Sequence, residues 1–181
     1  MEVVQTKLKD CWVFIPKLIQ DDRGYFFESY QAEKFKEATS LSPLFVQDNQ
    51  SKSVKGVLRG LHFQSGEHAQ AKLVSVLQGA VLDVAVDLRK DSPTFGQYHA
   101  EVLTAENKHQ LFIPRGFAHG FLVLSDTAEF FYKCDNYYHR AADGGVRFDD
   151  PSIGIDWGVP MENLILSEKD RNLPYLKDMV I

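Results

Sequence analysis

GVLRGLHFQSGEHAQAKLVSVLQGAVLDVAVD, residues Gly56 to Asp87, is the stretch on which the fold turns. Arg59, His62, Gln64 and Lys72 stand among apolar residues, and the apolar alternation that follows places Asp83 and Asp87 on one side of a strand. In an antiparallel sheet with one wet face, polar and apolar residues alternate cleanly. Here Lys72 shares a face with Val74 and Val76, while Leu73, Ser75 and Leu77 share the other. Neither face is polar, so the expected structure is a sheet covered on both sides, one face in a core and one in a pocket.

Working outward, the rest of the chain repeats the strand pattern. LFVQDNQSKS, GVLRGLHFQ, KLVSVLQG, AVLDVAVDL, QYHAEVLT, HQLFIPRG, AHGFLVLS and AEFFYKCDNYY are short strand candidates parted by glycine, proline or charged turns. Before them lie VVQTKL and CWVFIPKLI, the second ended or confined to an edge by Pro16, and a turn at DDRG. One helix is expected, from about Gln31 to about Ala38, where Phe35 follows Phe27 at helical spacing within Ala, Glu and Lys. Near the C-terminus Ser167 is placed to cap a helical turn opening on Glu168. Many strands and little helix predict an all-β sandwich or barrel rather than βαβ units.

At 181 residues, 44% of them hydrophobic, the chain is expected to form one domain, 1–181, since a second would have little core of its own. Twenty basic against 25 acidic residues give a net charge of -5, which argues against nucleic acid or an acidic membrane as a partner. Cys11 and Cys134 lie beside apolar residues without a CxxC or His/Cys neighbour, so buried thiols are expected rather than a redox or zinc site. No apolar run approaches a membrane span, and MEVVQTKLKDCWVF lacks the basic start and apolar core of a signal peptide. The expected location is the cytoplasm.

The chemistry centres on two histidines. His62 follows Gly60 and Leu61, and His119 sits in PRGFAHGF, each framed by glycines that permit close backbone approach. A histidine in a strand is usually a satisfied polar residue. Paired imidazoles also suit a metal, but His62 has Gln64 and then Lys72 as its polar neighbours, and a cation there repels a metal ion. Glu67 and His68 in the intervening loop keep a metal open on these residues alone, although solvated turn residues are the simpler expectation for both. Arg23, Arg59, Lys72, Arg115 and Lys169 supply cations for a phosphorylated ligand. Tyr132, Tyr137 and Tyr138 offer either rim packing, a phenol acid or a ring to stack on a base. A histidine base, a lysine facing a developing enolate oxygen and a tyrosine acid would together serve proton abstraction beside a carbonyl.

These residues also carry a resemblance. VQDNQSKS, VLRGLHFQ, AQAKLV, VAVDLRKDSPTFG, IPRGFAHGF, EFFYKCDNYY and LSEKDRNLP, in that order and preceded by DDRGYFFESY, resemble the successive signatures of the dTDP-4-dehydrorhamnose 3,5-epimerase family. The resemblance covers nearly the whole chain. It implies a cupin-type jelly-roll barrel with short peripheral helices, no metal and no cofactor, and a homodimer in which residues near Ile19 and Arg23 serve the neighbour's site. The implied reaction is epimerisation at C3 and C5 of dTDP-4-dehydro-6-deoxy-D-glucose to dTDP-4-dehydro-L-rhamnose through enolates, a step of dTDP-L-rhamnose biosynthesis. Matched motif by motif, the catalytic base falls on His62, its carboxylate partner on Asp170, the acid on Tyr132 and the lysine near the keto oxygen on Lys72. Substrate-contacting positions fall on Arg23, Glu28, Gln47, Asn49, Arg59, His119, Asp143 and Lys169, with Tyr138 beside the nucleobase.

The chain departs from the family pattern at Ile19, where a phenylalanine is frequent, at Phe148 and Asp149, where tryptophan and asparagine are usual, and at Asp143, where glutamate is common. Ile19 cannot stack on a base, Phe148 and Asp149 abut the expected ligand-binding stretch, and Asp143 is one methylene shorter than glutamate, so the changes bear on substrate identity rather than on proton transfer. Competing readings are an epimerase of C3 or C5 alone or of another 4-keto nucleotide sugar, a metal-dependent cupin enzyme, and a non-catalytic sugar-binding jelly roll.

Overall fold

In a computed structural model, residues 1–179 are described. The chain opens with β1 (Glu2–Gln5) and β2 (Trp12–Ile15), a hairpin of β3 (Ile19–Asp21) and β4 (Gly24–Phe26), and the helix α1 (Ala32–Thr39). The strand-rich body follows as β5 (Gln47–Val54), β6 (Leu58–Gln64), β7 (Lys72–Gln78), β8 (Ala80–Asp87), β9 (Tyr98–Thr104), β10 (Gln110–Ile113), β11 (Phe117–Val123), β12 (Thr127–Cys134) and β13 (Asp143–Gly145). A short helix α2 (Glu168–Arg171) lies in the C-terminal segment. The strands form a six-stranded sheet, β1-β2-β10-β7-β12-β5, and a five-stranded sheet, β13-β6-β11-β8-β9. Every pairing within them is antiparallel.

The two sheets pack face to face through Val74, Val76, Leu111, Ile113 and Phe130 of one and Val81, Ala85, Leu103, Phe117 and Phe121 of the other. The second face of each sheet is covered too. Leu73 of β7, pointing away from Val74, packs with Phe14, Phe112 and Phe35 of α1. On the five-stranded sheet, Leu58, Val84, Val86 and Leu122 pack against Ile153, Ile155, Trp157 and Leu164 of the C-terminal segment. Mixed parity in β7 thus has the expected cause along most of the strand: Leu73 is buried on the outer face and Val74 and Val76 on the inner one, where Lys72 is the polar member, while Leu77 at the outer end is exposed.

α1 begins one residue after the expected start, because Gln31 is its cap: the side-chain oxygen accepts from Lys34 N at 2.6 Å. Ser167 caps α2 as expected, accepting from Asp170 N at 3.1 Å. Of the β3–β4 hairpin only the turn at DDRG was expected; its strands were not, because Ile19 and Phe26, paired across it, are 61% and 68% exposed and give no pattern of burial to read. β13 is a second addition, hidden because two of its three residues are glycines. Both cysteines are buried free thiols. Among the described residues no helix is long and apolar enough to cross a membrane.

Candidate active site

β6 and β11 run side by side with His62 directly opposite His119. The glycines around them are needed for that approach: a Cβ on Gly60 would lie 2.6 Å from the Cα of Gly120, and one on Gly120 would lie 2.7 Å from the Arg59 carbonyl oxygen. Across the interior, β7 contributes Lys72 and β12 contributes Tyr132, and their strands are hydrogen-bonded neighbours with Tyr132 opposite Val74 and Cys134 opposite Lys72. The space between holds a cavity of about 510 Å³ lined by Arg59, His62, Lys72, His119, Tyr132 and Asp170, with Lys169 and Ser167 from the C-terminal segment.

His62 Nε2 lies 2.5 Å from Asp170 Oδ1. Asp170 is only 3% exposed, and its other oxygen accepts from Ser167 Oγ at 2.8 Å. Burial works to raise this carboxyl, but the hydrogen bond and charge of His62, Ser167 and Lys169 outweigh it and hold it below its ordinary value. An ionised carboxylate only accepts, so Nε2 of His62 carries the proton and Nδ1 is the ring's lone-pair nitrogen. His119 is held in the same manner: Nε2 lies 2.8 Å from Oδ2 of Asp83, whose carboxylate is fully buried. Phe130, stacked on Phe121 at 4.1 Å between centroids, forms the apolar floor next to His119.

Lys72 is half-buried with no carboxylate within ion-pair distance among the described residues, and its Nζ lies 5.7 Å from the centre of the Tyr132 ring. Desolvation pulls its ammonium below the usual lysine range, against the opposing charges of Asp83 and Asp143. Burial pushes the Tyr132 phenol up, and the Arg59 charge offsets part of that rise. The cavity therefore holds an oriented imidazole, an ammonium that loses its proton more readily than usual, and a phenol that keeps its proton at neutral pH. No group of three His, Cys, Asp or Glu side chains suited to a metal ion occurs among the described residues.

The remaining expected site residues divide into two sets. Gln47, Asn49, Tyr138 and Asp143 do not line the cavity but connect to its mouth through Lys169. Lys169 Nζ lies 2.5 Å from Asp143 Oδ2, and the Tyr138 hydroxyl donates to the same oxygen at 3.3 Å. The Tyr138 amide donates to Gln47 Oε1 at 3.0 Å, and Gln47 Nε2 to Asn49 Oδ1 at 3.0 Å. Arg23 and Glu28 lie elsewhere on the surface, Arg23 on Asp21 within the β3–β4 hairpin and Glu28 on Lys34 at 2.7 Å.

Three expectations are corrected. Arg115 does not reach the cavity; its guanidinium is taken by Asp135 at 2.8 Å on another face. Phe148 and Asp149 do not abut the site: Phe148 is packed in the outer core, its carbonyl accepting from Trp157 Nε1, and Asp149 pairs with Arg147. His68 is not merely solvated, because its ring stacks on His139 at 3.9 Å. Sequence reasoning also missed Asp83 as the partner of His119 and Ser167 as a support of Asp170. An aspartate inside an otherwise apolar strand was the available signal for the first, since a buried carboxylate needs a partner.

The family model described as dTDP-4-dehydrorhamnose 3,5-epimerase matches residues 5–178. A dTDP-4-dehydrorhamnose 3,5-epimerase of Shigella flexneri is 53% identical over 172 residues, 95% of this chain and 94% of that protein. The crystal structure of dTDP-4-dehydrorhamnose 3,5-epimerase from Elizabethkingia anophelis NUHP1 superposes with a TM-score of 0.96 at 58% identity, covering 98% of this chain and 97% of that one. A dTDP-6-deoxy-D-glucose-3,5-epimerase from Legionella pneumophila Philadelphia 1, solved in complex with dTDP-4-keto-L-rhamnose, gives 0.94 at 47% identity over 99% and 94% of the two chains. With sequence and backbone agreeing along almost their whole length, the chain belongs to the dTDP-4-dehydrorhamnose 3,5-epimerase family.

Proposed function

We propose that this protein inverts C3 and C5 of dTDP-4-dehydro-6-deoxy-D-glucose, giving dTDP-4-dehydro-L-rhamnose for dTDP-L-rhamnose biosynthesis, and that it does so without a metal or cofactor. The supporting observation is the His62–Asp170 pair opening onto the cavity that also holds Lys72 and Tyr132. A 4-keto group acidifies the C–H bonds on either side of it, so one base can serve both centres in turn. His62 takes the proton, and Asp170 fixes the tautomer and stabilises the imidazolium that forms. The electron pair moves into the C4 carbonyl, and Lys72 stabilises the charge on O4. Tyr132, protonated at neutral pH, gives a proton from the opposite face, which inverts the centre; before the second centre reacts, His62 passes its proton to solvent and Tyr132 regains one from it.

Binding energy comes from the nucleoside diphosphate, remote from the reacting carbons. Arg59 and Lys169 at the cavity wall and mouth face the diphosphate, Tyr138 with Gln47 and Asn49 faces the base, and Asp143 positions Lys169. In the same proposal the molecule is one cupin-type jelly-roll barrel, residues 1–181, working as a homodimer. Arg23 and Glu28, which do not line the single chain's own cavity, then complete the neighbour's site. Incubation with the 4-keto-6-deoxy nucleotide sugar in deuterated water is the test: label and inversion at both C3 and C5 are expected. Label at one carbon only would make it a single-centre epimerase, and binding without label would make it a sugar-binding module.

A further inference from the structure

One hydroxyl holds Asp170 twice. Ser167 Oγ accepts from the Asp170 amide at 3.1 Å and donates to Asp170 Oδ2 at 2.8 Å, so the backbone and the carboxylate of one residue hang on a single atom three positions earlier. The remaining oxygen, Oδ1, meets Nε2 of His62 at 2.5 Å. The first of the two Ser167 bonds is an ordinary helix cap. The second is not needed for capping, and burial alone does not account for it. Asp83, 0% exposed and bonded to His119 through Oδ2, leaves its Oδ1 without a hydrogen-bond partner among the described residues. Asp83 is fixed by its place in β8, whereas Asp170 stands on the four-residue α2, where its carboxylate needs a second hold to stay in one orientation.

We propose that Ser167 is a positioning residue for proton abstraction: by occupying Oδ2 of Asp170, its hydroxyl holds Oδ1 against Nε2 of His62. The two oxygens of a carboxylate are equivalent, and rotation about the Cβ–Cγ bond exchanges them or turns both away from a partner. With Oδ2 engaged, Oδ1 is the oxygen left to receive the imidazole N–H, and the lone pair of the ring stays on Nδ1. When His62 takes a proton, the new positive charge lies beside Asp170. A hydrogen bond donated to the charged carboxylate then favours leaving the proton on the ring rather than on the buried acid. The hydroxyl is aimed for this task because its oxygen is tied to the Asp170 amide; a water molecule in its place has no such tether. Without the hydroxyl α2 remains docked, since Arg147 Nη1 donates to the Arg171 carbonyl oxygen at 2.7 Å and Asn172 Nδ2 donates to that of Glu168 at 2.9 Å. The consequence of losing it falls on the bound-state rate rather than on nucleotide affinity.

This role rests on the proposed pairing of His62 with Asp170, and Asp170→Ala is carried alongside so that the two can fail separately. Turnover of the 4-keto-6-deoxy nucleotide sugar is measured in single-turnover reactions, dTDP affinity by calorimetry and stability by urea titration, all on the full chain. Ser167→Gly removes the hydroxyl, yet glycine caps a helix nearly as well as serine. Its stability and dTDP affinity are expected to match the parent, while turnover falls by about tenfold or more, the worth of a hydrogen bond to a charged group. Ser167→Thr keeps the hydroxyl on an exposed residue and should restore most of the loss. In the Asp170→Ala background Ser167→Gly should add nothing, because the hydroxyl acts only through that carboxylate. A capping role alone predicts parental turnover in Ser167→Gly, and that result beside a slow Asp170→Ala overturns the proposal. A loss that persists in full without Asp170 overturns it too, by placing the hydroxyl on the substrate instead. Should Ser167→Gly prove unstable, Ser167→Asp decides, since it caps but cannot donate: slow turnover with intact dTDP affinity supports the role, and parental turnover refutes it. Parental turnover in Asp170→Ala refutes the pairing itself, and the role of Ser167 with it.

Discussion

Each of the two histidines in the cavity presents Nε2 to an aspartate, yet the two carboxylates differ in what surrounds them. Asp170 has both oxygens engaged and feels the charge of Lys169, while Asp83 is sealed inside the sheet. For His62→Ala and Asp170→Ala the expected result is a large loss of turnover, on the order of a hundredfold or more, with dTDP affinity nearly unchanged; the double variant should lose far less than the product of the two losses. Single-turnover kinetics beside calorimetry read both quantities. Tyr132→Phe keeps the ring that packs on Phe130 and lies under Lys72, so the protein should fold and His62 should still abstract. Deuterium exchange at the sugar carbons should then outpace inversion, and an unchanged ratio of the two in a folded variant would remove Tyr132 from the mechanism. A structural carboxylate gives a further residue-level expectation. Burial alone would raise Asp87, but Arg89, Ser92 and Thr94 together bring it from 3.8 down to about 2. Because the folded value is the lower one, its stabilisation is full above pH 4 and disappears as the pH falls toward 2, amounting to about 2 kcal/mol. Urea titrations of Asp87→Asn should show a less stable protein at pH 7 and a flatter decline of stability in that acid window.

At the level of elements, α1 matters through one residue. Phe35 is 2% exposed, stacks on Phe14 at 4.9 Å and meets the edge of Phe112 at 5.0 Å, closing the outer face of the six-stranded sheet. Phe35→Ala is expected to cost about 3 to 5 kcal/mol, read by urea titration, while the cavity on the opposite face of β7 keeps its activity in the protein that remains folded. Elements of this kind were legible in advance wherever burial leaves a period. The alternation of β7 and β8 announced a sheet covered on both faces, and Ser167 and the Ala, Glu and Lys run announced the helices within a residue. Where side chains are exposed or absent the period vanishes, as in the Ile19 to Phe26 hairpin and in the glycines of β13. The site was half legible for the same reason. His62, Lys72 and Tyr132 stood out as chemical misfits in apolar strands, but only the ladder between β8 and β11 and the path of the C-terminal segment bring Asp83 to His119 and Asp170 to His62. Arg115 looked equally suitable by residue type and was claimed by Asp135 instead.

For the whole molecule, the proposed metal-free mechanism requires full activity after exhaustive chelation, and loss with recovery on adding back one metal would reverse it. The proposed homodimer is tested by sedimentation at assay concentration together with Arg23→Ala, which should weaken dTDP binding although the residue lies on a hairpin away from its own chain's cavity. Mixing that variant with an excess of His62→Ala should restore some activity if the neighbour's Arg23 serves the site, and no restoration would confine each site to one chain. The buried thiols complete the picture at this scale: burial pushes Cys11 up to about 12 and Cys134 up to about 11, so both should resist alkylation until the protein unfolds.

The order of strands in the larger sheet also has a kinetic meaning. β12 lies between β7 and β5, β10 between β7 and β2, and the hydrogen bond between His62 and Asp170 joins residues 108 apart in the chain. Contacts so distant must wait for large loops to close, which slows folding compared with a protein of local hairpins. The proposed catalytic pair forms only when α2 of the C-terminal segment meets β6. During refolding the early strands can regain their signal before His62, the proposed base, has Asp170 as its partner, so recovered turnover times the end of assembly rather than its beginning.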